Sequence, residues 1–331
     1  MFKKIALIIT ILGIIGIPLW LYIDKRNKDF QQLQTQKEKD IKRAKAKKIQ
    51  GQEIEKLKRT RQCIGCNLAN ANLVSLTSIV RYDRQYERDE YYSKYSNTRF
   101  LNYLNNSVLI NVNLQNANLE SADLRKANLL ESNLSKANLR NADLGSANLQ
   151  KSNLSKANLK NANLIKSNLK SSDLSNANLS GANLNYSRLE SSNLSNANLW
   201  EADFQNANVE RSDLSKSILG HANLQNSNFE QAILTDANLE ASKLEEAKLM
   251  NASLENANLQ AADLRGANLL NANLTKSDLR GANLEGAILK DANLTEADLR
   301  GANLSKANLE GAILKDANLT GAIMPDEIQN Y

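Results

Sequence analysis

Hydrophobic residues in this chain recur at a strict interval of five. From Leu109 to Leu319 every fifth residue is Leu, Phe or Val, forty-three positions in succession. Two residues before each stands Ala or Ser, with Val112 the exception. Neither regular element accommodates that period. On an α-helix five residues advance the side-chain direction by about 140°, so the leucines would spiral without forming a stripe. On a flat strand a step of five sends successive leucines to opposite faces. All of them point inward only where the chain runs extended for a short stretch, turns, and repeats around one axis. With the leucine position named i, residues i−2 and i share the inner face, the Asn or Asp at i−1 faces out, and i+1 and i+2 turn the corner.

A second period of twenty gives the number of sides. The string Ser-Asn-Leu-Ser-Lys-Ala-Asn-Leu begins at Ser132 and again at Ser152. Outward residues taken twenty apart form a hydroxyl row (Ser135, Ser155, Ser175, Ser195, Ser215, Thr235) and an amide row (Asn118, Asn138, Asn158, Asn178, Asn198). Such rows follow if residue n lies under n+20, so that amides and hydroxyls bond along the axis. The prediction is an all-β repeat of four-sided coils, about 11 of them, roughly 50 Å long at the parallel strand spacing. Each buried Leu contributes about 2 kcal/mol, which offsets chain ordering only where neighbouring coils cover one another. Ala or Ser at i−2 is a steric demand of that dense interior.

The Ala-Asn-Leu-x-x and Ala-Asp-Leu-x-Gly units resemble those of pentapeptide repeat proteins. That resemblance covers about two thirds of the chain and implies a right-handed quadrilateral β-helix. It implies no single activity, because members of the family differ widely in function.

The other segments follow by composition. Residues 1–4 are a short flank. Residues 5–23 carry no charge and are long enough to cross a bilayer as a helix, with Trp20 and Tyr22 placed for the interface. A cleaved signal peptide is the competing reading; the apolar run is long for one, and no small-x-small site follows it. Residues 24–62 hold fourteen Lys/Arg against six Asp/Glu and read as a basic helical spacer suited to anionic lipid. The excess of Lys/Arg after the span over Lys3 and Lys4 before it predicts a single-pass protein with the repeats on the cytoplasmic side. Export after signal cleavage is the alternative. Residues 63–76 form a first partial coil, 77–106 a Tyr-rich insert, 107–324 the β-helix and 325–331 a C-terminal tail after Pro325.

Candidate sites are few. Cys63 and Cys66, the two cysteines, fall at i and i−2 and are expected to fill the first coil, with a disulfide or a shared metal as alternatives. The insert gathers Tyr82, Tyr86, Tyr91, Tyr92, Tyr95 and Tyr103 among Arg, Asp and Glu, which suits either a shield over the first coil or a partner surface. On the repeats, outward Met250, Leu270 and Ile288 make a small apolar patch, and Trp200 faces out alone. Glu190, Glu210 and Glu230 stack, with Arg188 and Arg211 near enough to relieve them. His221, the one histidine, reads as a solvated corner residue.

No nucleophile–base pair, phosphate-cradling glycine loop or metal-ligand spacing is present, so no catalytic, cofactor or metal residue is assigned. A filled rod offers no pocket for a small substrate. The expected function is a membrane-anchored scaffold or protein-interaction module with an unidentified protein partner. The alternative is a nucleic-acid mimic acting on a DNA-handling enzyme such as a topoisomerase. Residues 63–331 carry only four negative charges in excess, and Lys and Arg are scattered over the repeats, which argues against nucleic-acid mimicry.

Overall fold

The structure, a computed structural model, describes residues 19–60, 62–71 and 104–326. It divides into two compact units, Met1–Gln52 and Glu53–Tyr331.

The described part of the first unit belongs to one helix, α1, Leu19–Thr60. Its sequence is rich in Lys and Gln, both good helix formers, and Pro18 stands just before it. The exposed surface pairs at helical spacing: Gln36 Nε2 donates to Asp40 Oδ1 at 3.0 Å, and Arg43 lies 3.8 Å from Asp40. Ile41 and Ile49 are exposed, so neither of these apolar side chains marks a buried stripe. Residues 5–18 of the expected span lie outside the described residues, while 19–23 open α1. Among the described residues no helix is long and apolar enough to cross a membrane.

The second unit begins in the last turns of α1. Leu57 is buried and Ile54 packs beside it against the core that follows. Glu53 Oε2 accepts the Asn67 N–H at 3.1 Å, and Thr60 Oγ1 accepts the Gln62 N–H at 3.2 Å where the helix stops. From there the chain coils. Parallel bridges link each i−1 residue to the one twenty further on, from Val108↔Asn128 to Asn303↔Ile323. Four sides result, named here by their first full-coil leucines: side one (Leu109), side two (Leu114), side three (Leu119) and side four (Leu124).

Each five-residue unit uses its backbone in the same way. The Leu119 N–H donates to Asn138 O at 2.7 Å, the Ser121 N–H to Arg140 O at 2.8 Å, and the Asn138 N–H to Ala117 O at 2.9 Å. The corner closes when the Ala122 N–H donates to Leu119 O at 3.0 Å. Every i+2 residue from Asn106 to Gly321 is left-handed, with φ between 51° and 73°. Most are not glycine. Lys, Glu, Ser and Asn bear that strain at most corners because the interlocked coils over-determine it.

The interior is filled. The inward leucines, at position i from Leu109 to Leu304, are at most 1% exposed. Phe204 and Phe229 replace leucine on adjacent sides, their rings 6.4 Å apart, and the smaller Val209 lies directly beneath Phe229 on side one. Serines at i−2 are buried as deeply as the alanines and place their hydroxyls on the backbone: Ser172 Oγ donates to Leu169 O at 2.6 Å and Ser217 Oγ to Leu214 O at 2.7 Å. Ser167 and Ser187, neighbours on side one, bury hydroxyls that have no partner.

The first coil is described on three of its sides. Gln62 bridges Val108 and Asn67 bridges Asn113, so Cys63 lies on side one and Leu68 on side two. Leu104, buried at 5% exposure, supplies side four, and the Asn106 N–H donates to Arg125 O at 2.8 Å. The last residues of the expected insert are therefore already coil. Cys63 and Cys66 do point inward and are buried, but they are also joined as a disulfide. The expectation of simple fillers needs that correction. In every unit i and i+3 meet across the corner, and here the meeting is covalent.

Candidate interaction surface

Outward side chains are first of all part of the fold. The Asn at i−1 accepts from the backbone two residues on: the Lys160 N–H donates to Asn158 Oδ1 at 3.3 Å and the Ser180 N–H to Asn178 Oδ1 at 3.1 Å. Its amide donates to the Asn below, Asn158 Nδ2 to Asn138 Oδ1 at 3.2 Å and Asn138 Nδ2 to Asn118 Oδ1 at 3.1 Å. One side chain thus holds its own corner and joins two coils. The hydroxyl row behaves differently from the expectation of axial bonding. Ser155 Oγ donates to Asn153 Oδ1 at 2.7 Å and Thr275 Oγ1 to Asn273 Oδ1 at 2.6 Å, both within their own unit.

Where Asp replaces Asn with Arg at i+1, the corner becomes an ion pair. Arg265, Arg280 and Arg300 each approach Asp263, Asp278 and Asp298 to 2.6 Å, and Arg125 approaches Asp123 to 2.7 Å. The guanidinium hydrogen bond holds each of these carboxyls below the usual aspartate range.

Charge as a whole is unevenly distributed along the repeats. Residues 122–170 contain nine Lys/Arg and three Asp/Glu. All three acids there are paired, Asp123 and Asp143 with Arg125 and Glu131 with Lys151. Residues 171–260 contain five Lys/Arg and twelve Asp/Glu. The repeats thus carry a basic band beside an acidic one, which the small net charge conceals.

The expected site residues separate. Tyr82, Tyr86, Tyr91, Tyr92, Tyr95 and Tyr103 lie outside the described residues. Met250 and Leu270 are half-buried on successive coils of side one, with Ile288 exposed on the next. The stacked glutamates are partly relieved: Arg188 pairs with Glu190 at 3.1 Å and Arg211 with Glu210 at 2.6 Å. Trp200 is half-buried on side three, its ring lying over Gly220, where an added Cβ would come within 2.5 Å of Trp200 Cζ3. His221 meets the Trp200 ring edge-on at a centroid distance of 4.7 Å, so it is exposed but not isolated. Sorting the sequence by twenty places Gly220 above Trp200 and would have found that contact. Among the described residues no cluster of His, Cys, Asp or Glu could hold a metal ion.

A square coil with a leucine interior and an Asn ladder on each side is a quadrilateral β-helix. The chain belongs to the pentapeptide repeat family: the family described as "Pentapeptide repeats" matches in eight copies across residues 103–325. Among solved structures it is similar to HetL, a pentapeptide repeat protein involved in heterocyst differentiation regulation in the cyanobacterium Nostoc. Identity there is 38%, over 66% of this chain and 90% of that one, with a TM-score of 0.27. A pentapeptide repeat protein of the Arabidopsis thaliana thylakoid lumen is 35% identical over 30% of this chain and 68% of that one, TM-score 0.29. QnrB1, a plasmid-mediated fluoroquinolone resistance protein, is 16% identical over 57% of this chain and 92% of that one, TM-score 0.47. No curated protein matches the chain.

Proposed function

We propose that the protein is a non-enzymatic, membrane-anchored scaffold whose repeats present long, regular faces to a protein partner. One observation supports this most. The interior is filled by leucine with Ala or Ser, and the outward Asn, Asp and Ser groups are engaged in holding corners and coils. What remains for function is flat outer surface, which suits macromolecular contact more than small-molecule chemistry. Residues 5–23 supply the anchor, the basic residues of 24–62 meet anionic lipid headgroups, and the tyrosines of 77–103 are the first partner surface.

Carbonate extraction of membranes tests the anchor: the full chain stays in the pellet, and recovery in the wash refutes anchoring. Crosslinking with mass spectrometry, with and without residues 77–103, tests the partner surface; an unchanged partner set excludes the insert. The charge asymmetry favours a cytoplasmic rod, whereas the Cys63–Cys66 disulfide favours an oxidising compartment. Protease protection in intact and permeabilised cells separates those two topologies. The nucleic-acid mimic fits less well, because residues 122–170 would present a basic band to a site that binds DNA.

A further inference from the structure

Side three carries a charge pattern that is complementary to itself. Its i+1 column, read in steps of twenty, runs Glu120, Arg140, Lys160, Ser180, Trp200, Gly220, Glu240, Gln260, Arg280. Lys160 stands two coils before Trp200 and Glu240 two coils after it. Glu120 and Arg280 stand four coils to either side. Of the two corner columns that edge side three, the one before it repeats the rule, with Lys156 and Asp236 in the same coils as Lys160 and Glu240, while the one after it carries Glu201 in the coil of Trp200. Among the described residues none of Lys156, Lys160, Asp236 and Glu240 forms an ion pair, and all four are exposed.

We propose that side three is a self-association surface: two copies of the chain pack antiparallel, face to face, about a two-fold axis that passes at Trp200. Such an axis lies in the plane between the two faces and perpendicular to both rods. It brings each coil below Trp200 opposite the coil equally far above Trp200 in the other copy, column on column. Lys160 then meets Glu240 of the second copy, Lys156 meets Asp236, and Glu120 meets Arg280. Because the interface is isologous, each meeting occurs twice. Trp200 faces its own counterpart at the centre, where an aromatic anchor contributes most. Ser180 and Gly220, on either side of it, oppose one another and leave room for the two rings. The ring's seat on Gly220 and its edge contact with His221 hold it in place before association, which lowers the ordering cost.

Side one lacks this complementarity. Its run of Glu190, Glu210 and Glu230 about the middle glutamate would set three like charges in a row opposite one another, against the single Glu201 of side three. Side two offers Ser and Thr through most of its i+1 column; Glu255, the one charge there between Gln115 and Thr295, would meet Ser135 about Ser195, so no charge pair fixes a register.

Site-directed crosslinking of the full chain tests the proposal independently of membrane anchoring. The probe is a short bismaleimide of about 10 Å reach, the distance between packed sheets. Trp200→Cys should crosslink to itself, since only a residue on the axis meets its own copy. Lys160→Cys with Glu240→Cys should also give covalent dimer. These two positions are four coils, about 19 Å, apart within one copy, so the bridge must join two copies. Lys160→Cys alone, and Glu230→Cys on side one, should give none. Reversing the pair in one chain is the second arm. Lys160→Glu should cut the dimer yield about tenfold or more, and adding Glu240→Lys should restore it. Both positions are exposed, so circular dichroism should be unchanged in each variant. No dimer from either cysteine variant, equal dimer from Glu230→Cys, or no rescue by the reversed pair would overturn the proposal.

Discussion

At the scale of the residue, the i−2 serines show what one hydroxyl does in a closed interior. Ser172 donates to a carbonyl at 2.6 Å, whereas Ser167 and Ser187 bury hydroxyls with no partner. An orphaned buried hydroxyl costs its desolvation, about 1–3 kcal/mol. Ser167→Ala and Ser187→Ala should therefore raise stability by about 1 kcal/mol each, while Ser172→Ala should be neutral or destabilising; urea unfolding of the three variants checks the contrast. The Asp-x-Arg corners set the acid limit. The carboxyls of Asp263, Asp278 and Asp298 are held below their unfolded value, so their contribution is complete above about pH 4 and is lost as pH falls through the lowered folded value. Melting temperature should fall below about pH 4, and Asp278→Asn with Asp298→Asn should flatten that limb. The Leu and Ala rhythm was fully legible in the sequence because packing alone dictates it. The role of Asn at i−1 was legible only in part: its axial ladder followed from the period of twenty, but its bond to its own corner depends on the local turn. The hydroxyl row misled for that reason, since a Ser at i+1 finds Asn Oδ1 two residues back before it can reach the next coil.

At the scale of the element, the coils repeat but are not interchangeable. Phe204 and Phe229 enlarge two adjacent sides, and Val209 removes volume beneath Phe229. Val209→Leu should overpack this point and cost about 1–3 kcal/mol, and Phe229→Leu in the same chain should recover most of it. A double-mutant cycle by thermal unfolding measures that coupling; simple additivity would mean that the two sites do not share space. The first coil differs again. Its corner is closed by Cys63–Cys66, and the last turns of α1 cover it through Ile54 and Leu57. The sequence placed both cysteines inward by register alone. It could not show that they are joined, because filler and bridge need the same positions. The four-sided count was likewise readable, whereas the place of Leu104 on side four of the first coil was not, since the tyrosine-rich sequence before it hides the return of the rhythm.

At the scale of the second unit, one hydrogen-bond scheme recurs at every step of five from Leu129 to Leu299, and the square coil rests on it. Four of each five backbone N–H groups donate to backbone carbonyls, three between coils and one across the corner. The fifth, at i+1, has only a side-chain acceptor, as when the Lys160 N–H donates to Asn158 Oδ1. Residue-resolved hydrogen exchange on the full chain therefore tests the fold most directly. The account predicts protection with a period of five from Leu109 to Leu304, fastest exchange falling at i+1 positions such as Lys160, Ser180 and Trp200. A helical period, or uniform fast exchange through these residues, would contradict it.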